Sequence, residues 1–167
     1  MYIAAGFLKR KPLVYDDSLR PTKQRVKEAM FDIVQSHIAD AVVLDACCGT
    51  GALALEAYSR GAKHVVAVDS QIRLVQQNAK ALAASIDIIK NDIVAYIQKD
   101  PPAFDVVFLD PPWDAEGIYV AVLDYFLNLE QPPVLLCEYR KGMPLGYAAT
   151  KVYRYGKTEV ALFRPVY

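Results

Sequence analysis

From Ala41 onward the chain alternates short β-branched apolar runs with stretches of helical spacing, and no other feature constrains the fold as much. Residues 42–45, 64–69, 86–90, 104–110 and 134–138 have strand length and composition, and residues 52–60, 71–84, 93–99 and 116–129 supply a helical pattern in each gap. Parallel strands need crossovers long enough to hold a helix, so this rhythm predicts an α/β fold with a parallel sheet. The tail departs from it. Residues 148–154 and 158–164 are joined by Tyr155-Gly156-Lys157, which predicts an antiparallel hairpin with Gly156 in the turn.

Ahead of the alternating region, residues 1–19 read as an extended segment with a hairpin around residues 9–12, because Tyr2-Ile3 and Leu13-Val14-Tyr15 flank turn chemistry. A helix is expected next. Thr22 is placed to cap it, Val26, Met30, Ile33 and His37 or Ile38 mark one face, and Asp40 lies past its end. The 167 residues, 54% of them hydrophobic, suffice for one domain, with residues 1–40 as an extension and basic helix and 41–167 as the core. No apolar run reaches the roughly 18–20 residues of a membrane span, and Gly6, Lys9 and Arg10 interrupt the start, so a cytoplasmic protein is expected. Cys47, Cys48 and Cys137 offer neither a disulfide framework nor Cys-x-x-Cys spacing and read as small buried fillers.

The formal net charge is zero, which alone argues against a nucleic-acid partner. Its distribution argues for one. Residues 1–30 carry seven Lys or Arg against three acids, residues 138–167 six against two, and the centre is acidic. Basic ends around an acidic middle suit a polyanion-binding rim beside a site that handles a cation.

Asp45-Ala46-Cys47-Cys48-Gly49-Thr50-Gly51 ends one strand and opens a helix, where glycines admit a ligand to the backbone and the helix start offers N–H donors. Gly49-Thr50-Gly51-Ala52-Leu53-Ala54 also satisfies the dinucleotide fingerprint G-x-G-x-x-G/A, with Asp69 near the distance expected of a ribose-binding acid, so a nicotinamide dehydrogenase is a rival. Asp45 separates the two readings. A carboxylate there suits the cationic sulfonium and ammonium of S-adenosylmethionine and would repel a pyrophosphate. Cys47, Gly49, Gly51, Asp69 and Ser70 then join Asp45 as cofactor-binding candidates, with Asn91 and Asp92 at the next strand end facing the adenine; Asp92 equally suits a helix cap and Ser70 could cap the helix after it.

Asp110-Pro111-Pro112-Trp113 ends an apolar strand and is the most specific motif in the chain. An exocyclic base amine is a weak nucleophile, its lone pair delocalised into the ring, so attack on a methyl group requires rehybridisation. Acceptors aimed at its protons favour that change. Asp110 and the carbonyl of Pro111 are such acceptors, the prolines stiffen the loop and remove their own donors, and Trp113 offers a face for an unstacked base. The plain alternative is a turn that stops a buried strand.

This motif resembles the [Asp/Asn]-Pro-Pro-[aromatic] signature of amino-methyltransferases, and the chain is similar nearly end to end to the RsmD family of bacterial small-subunit rRNA guanine-N2 methyltransferases. Arg20-Pro21-Thr22 with Arg25-Val26-Lys27-Glu28, Gly49 to Leu53, Glu56 to Ala62, Gly117-Ile118-Tyr119 and Tyr155 to Thr158 carry the resemblance. Cys47-Cys48 stands where a Phe-Ala-like pair is usual, Trp113 replaces Phe or Tyr, and the chain is somewhat short for the family. The resemblance implies a class I, Rossmann-like methyltransferase sheet closed by the C-terminal hairpin, S-adenosylmethionine as cofactor, Asp110 to Trp113 as catalytic loop, in-line transfer without a metal, and ribosomal RNA as partner, naked or within an assembling small subunit. A monomer is expected.

The basic helix supports RNA binding separately. Lys23, Arg25 and Lys27 occupy first-turn positions that the helix dipole makes unfavourable by about 0.3–1 kcal/mol each, a repeated local conflict that suggests function. With Arg20 they are candidates to grip phosphates, Arg20 or Thr22 also reaching the site mouth; Arg140, Lys141, Arg154 and Lys157 are weaker candidates. The remaining rivals are a DNA adenine-N6 or cytosine-N4 methylase, for which the chain has no insert long enough to form a target-recognition domain, and a non-catalytic RNA-binding module.

Overall fold

The computed structural model describes residues 1–16 and 23–165. Helix α1 (Gln24–Ile33) precedes a sheet whose strands alternate with helices in the order β1 (Val42–Asp45), α2 (Ala52–Ser59), β2 (His64–Asp69), α3 (Arg73–Ala81), β3 (Asp87–Lys90), α4 (Ile93–Ile97), β4 (Val106–Leu109), α5 (Glu116–Leu127) and β5 (Val134–Arg140). The tail forms β6 (Lys151–Tyr155) and β7 (Thr158–Phe163). Seven strands lie in the order β3-β2-β1-β4-β5-β7-β6, the first five parallel and β7 antiparallel to both of its neighbours. Among the described residues no helix is long and apolar enough to cross a membrane.

Both faces of the sheet are covered, so its strands are apolar without alternation. On one face Val43, Phe108 and Leu136 pack with Met30 and Phe31 of α1, Ala54 of α2 and Val75 of α3. On the other, their strand neighbours Leu44, Val107 and Leu135 pack with Ile93 and Ile97 of α4 and Tyr119, Leu123 and Phe126 of α5. Each fully buried aliphatic or aromatic side chain contributes roughly 1.5–3 kcal/mol, which makes this two-sided core the main source of stability.

Several elements are shorter than their patterns predict. β4 stops at Leu109 because the residue before Pro111 is restricted and the prolines donate no ladder bonds. α3 begins at Arg73 because the Gln71 N–H is taken by Asp69 Oδ1, and it ends before Ala83, which has a φ of 50°. Ser70 therefore does not cap it. β5 instead runs on to Arg140, held by its antiparallel pairing with Thr158 of β7. Thr22, expected to cap α1, and Arg20 lie outside the described residues, and the flanking position of α1 is Lys23, with no side-chain cap. Its buried stripe is Val26, Met30, Phe31, Val34 and Ile38, whereas Ile33 and His37 are half-buried.

The N-terminal segment folds back through a single bridge, Tyr2 to Pro12, supported by Ile3 N–H to Lys11 O (2.9 Å) and Arg10 N–H to Ile3 O (2.8 Å). It is fastened to α2 and α3. The Ala4 and Ala5 N–H groups donate to the two oxygens of buried Glu56 (2.9 and 3.1 Å), and Asn78 holds the N–H and carbonyl of Val14 at 2.8 Å each. Lys27 belongs to this network, which overturns its expected role as a phosphate contact. Its ammonium is fully buried, 3.0 Å from Glu56 Oε2, and also donates to the Tyr2 carbonyl. Burial lowers its pKa from the usual lysine value, while Glu56 opposes that shift.

Candidate active site

At the carboxyl ends of β1, β2, β3 and β4, where open α/β sheets bind ligands, a cavity of about 440 Å³ opens. Its walls come from the β1–α2 loop (Ala46 to Thr50), the β2–α3 turn (Asp69, Ser70, Gln71), the β3 end (Asn91, Asp92) and the β4–α5 loop (Asp110, Pro112). Cys47, Gly49, Asp69, Ser70, Asn91, Asp92 and Asp110 thus converge, as their spacing along successive strands requires. Cys48, Thr50, Gln71, Ile93 and Ile118 line the cavity without having been expected.

Asp69 organises two of these walls at once. Its Oδ2 accepts from Gly49 N–H at 2.9 Å and its Oδ1 from Gln71 N–H at 3.0 Å, fixing the glycine loop against the neighbouring turn. Asp92 accepts from Ala95 N–H at 3.0 Å, so it caps α4 while lining the cavity. The two glycines differ. A Cβ at Gly49 (φ 51°) would meet nothing within 4 Å, whereas one at Gly51 (φ 83°) would lie 2.6 Å from Val75 Cγ2. Gly51 is absent from the lining: it lets α2 approach α3, and Gly49 leaves the space for a ligand.

Asp45, the candidate partner for the cofactor's cation, is not itself in the lining. It sits beneath the loop, 1% exposed, because its Oδ2 accepts from Ala54 N–H (3.0 Å) in the first turn of α2. Its Oδ1 is buried and accepts no hydrogen bond, and burial, reinforced by Asp110 and Asp69, raises its pKa to about 8. Burial, with surrounding carboxylates, likewise pushes the Cys47 and Cys48 thiols up; burial does the same to Cys137, so none is an activated nucleophile.

In the β4–α5 loop, Pro111 is buried, Pro112 is exposed and Trp113 is half-buried. A residue that entered the sequence analysis only through the resemblance, with no role assigned, fixes this loop. The hydroxyl of Tyr119, one turn into α5 and 2% exposed, lies 2.8 Å from the Glu138 carbonyl and 3.3 Å from that of Pro111, tying the loop to β5. Pro112 also borders a second, open cavity of about 510 Å³, which it shares with Trp113, Asp114, Glu116 and Arg140. Lys23, Arg25, Arg140, Lys141, Arg154 and Lys157 are exposed.

Comparison with known proteins follows the same outline. The Haemophilus influenzae ribosomal RNA small subunit methyltransferase D is 33% identical over 138 residues, covering 78% of this chain and 66% of that protein, just under two thirds of its length. A solved Thermus thermophilus hypothetical protein has the same fold, with a TM-score of 0.86 at 21% identity over 99% of each chain. So has an RNA methyltransferase from Salinibacter ruber in complex with S-adenosyl-L-homocysteine, with a TM-score of 0.67 at 17% identity over 86% of this chain and 92% of that one. The sheet order and these neighbours identify the class I S-adenosylmethionine-dependent methyltransferase fold. A family model described as Conserved hypothetical protein 95 matches residues 1–164, nearly the whole sequence, and the chain therefore belongs to that family, the RsmD family.

Proposed function

We propose that this chain transfers a methyl group from S-adenosylmethionine to the exocyclic N2 of a guanine in small-subunit ribosomal RNA. The observation that carries the reading is that Asp110 and Pro112 line the strand-end cavity, with Trp113 in the second cavity that Pro112 also borders. The family and its rRNA methyltransferase relatives support the substrate class.

The residues of the cavity fit the cofactor. Gly49 leaves room beside the backbone, Asp69 and Asn91 offer polar groups for a ribose and an adenine, and the Asp45 carboxyl beneath the loop has one oxygen without a donor. A cationic ligand above Asp45 favours its ionised form. When bound, S-adenosylmethionine supplies an electrophilic methyl group on a sulfonium. The chain's own residues do the rest. Asp110 accepts one proton-bearing edge of the target amine and the Pro111 carbonyl the other, which favours the pyramidal nitrogen and stabilises its developing positive charge. Tyr119 holds the Pro111 carbonyl in place, Trp113 supports the extruded base, and the surplus proton leaves through Asp110 to solvent.

Two measurements test the reading. Calorimetry is expected to show binding of S-adenosylmethionine or S-adenosylhomocysteine; binding of NADH with no response to either would restore the dehydrogenase. Mass-spectrometric mapping of rRNA from a strain lacking the protein is expected to reveal one guanine without its N2 methyl group. An unchanged rRNA together with methylated duplex DNA would overturn it.

A further inference from the structure

Apart from Trp113, the second cavity has a composition that the methyl-transfer step does not use. It pairs the Trp113 ring with two carboxylates, Asp114 and Glu116, and one guanidinium, Arg140. The fold brings these together by register. Leu109 pairs with Cys137 across β4 and β5, so the third residues beyond, Pro112 and Arg140, emerge side by side at the sheet's carboxyl edge. Tyr119 fastens the two ends to each other. Pro112 borders both cavities, so the second one adjoins the place where a base with its amine at Asp110 would lie.

The three exocyclic amines of the common bases differ in what stands beside them. Adenine N6 is flanked by the ring acceptors N1 and N7, and cytosine N4 by the acceptor N3 and a C–H. Guanine N2 alone has a neighbouring N–H donor, at N1, followed by the acceptor O6. Carboxylates next to an amine-accepting loop therefore match guanine and oppose the lone pairs of adenine and cytosine. Arg140 completes the match, because arginine pairs in bidentate fashion with guanine O6 and N7. A phosphate clamp, the role expected of Arg140 from charge alone, fits less well, since a phosphate would enter beside two carboxylates.

We infer that the cavity of Trp113, Asp114, Glu116 and Arg140 is the guanine-reading subsite, with the carboxylates taking N1–H, Arg140 taking O6 and N7, and Trp113 stacked on the ring. The inference rests on the reading of Asp110 as an acceptor for the target amine, and it assigns base specificity to residues outside the Asp-Pro-Pro-Trp motif.

Trp113 is the single tryptophan of the chain, so its fluorescence reports on this cavity alone. The full-length protein saturated with S-adenosylhomocysteine is titrated with the 5′-monophosphates of guanosine, adenosine, cytidine and 2,6-diaminopurine riboside. The last keeps the 2-amino group but replaces both N1–H and O6. Guanosine monophosphate is expected to bind about tenfold or more tightly than the others, in line with one good bidentate contact. Arg140→Ala and the double variant Asp114→Asn with Glu116→Gln are each expected to bring that preference close to unity at unchanged thermal stability, all three positions being exposed. Equal or absent binding of all four nucleotides, a preference that survives in the variants, or equally strong competition by inorganic phosphate overturns the inference. Its failure is distinguishable from that of the proposed function: methylation of rRNA guanine without a guanine preference here removes only the subsite, and a guanine preference without methyl transfer removes only the reaction.

Discussion

Replacing Asp45 with Asn is expected to change how the stability of the free protein depends on pH. The folded carboxyl has its pKa raised to about 8 by burial and by Asp110 and Asp69, while in the unfolded chain it returns to about 3.8. Between those values the native state holds a proton that the unfolded state has released. Stability therefore falls as pH rises through this window, by about 1.4 kcal/mol per unit until pH approaches 8. From pH 6 to pH 8 the loss from this group comes to roughly 2 kcal/mol. Asn has nearly the same shape, can still accept the Ala54 N–H, and does not titrate. Urea unfolding of both proteins at pH 6 and 8, without cofactor, isolates the effect as a difference of differences, since every other group titrates in both. The wild type is expected to lose roughly 2 kcal/mol more than Asp45→Asn. Equal losses would refute the reasoning, because they would mean that Asp45 is ionised in the folded protein and that its second oxygen has found a donor.

Asp110→Ala is expected to lower kcat by roughly 10²–10³ with little change in cofactor affinity, and Asp110→Asn to retain more activity because an amide oxygen still accepts; single-turnover methylation of rRNA measures both. Gly51→Ala should cost roughly 1–3 kcal/mol in thermal unfolding through its left-handed φ and the Val75 contact, whereas Gly49→Ala should weaken S-adenosylhomocysteine binding by calorimetry more than it weakens the fold. Lys27→Ala should destabilise the fold in urea unfolding by less than the roughly 3–5 kcal/mol of a fully orphaned buried charge, because it removes one of two cations on buried Glu56 and leaves Arg60 2.9 Å from its other oxygen. Arg25→Glu, at an exposed position, should leave stability nearly unchanged and lower both RNA affinity and its salt dependence in binding titrations.

Much of this molecule was legible because its signals are periodic or local. Five apolar runs separated by helical spacing give the parallel strands, Gly156 marks the final hairpin, and Asp110-Pro111-Pro112 ends β4 through the backbone chemistry of proline. What escaped depends on partners far along the chain. Gly49 and Gly51 satisfy one fingerprint equally, and only the position of Val75 on α3 separates a ligand-facing glycine from a packing one. Lys27 looks like Lys23 and Arg25 to any local rule, because the helix dipole penalises a first-turn cation whether it is exposed or buried. The stripe that it shares with Phe31, Val34 and Ile38 was the available signal, and a lone Glu56 within the apolar helix α2 was its counterpart. Tyr119 stood in a motif of the resemblance, but its role was not legible, since its two carbonyl partners are defined by tertiary structure alone.

The fastening of the N-terminal segment also has a consequence for how the chain reaches its folded state. Ala4, Ala5, Leu8 and Val14 obtain their hydrogen-bond partners from Glu56, Ser59 and Asn78, at separations of 51 to 64 residues. During synthesis the segment emerges before α2 and α3, and until they are complete it lacks these partners. Closing loops of that length carries an entropic cost that must be met before the contacts form. The segment is thus secured late, and its arrival supplies two backbone donors to Glu56 and holds Asn78, whose bond to the Thr50 carbonyl at 2.9 Å steadies the loop on which the cofactor cavity is built.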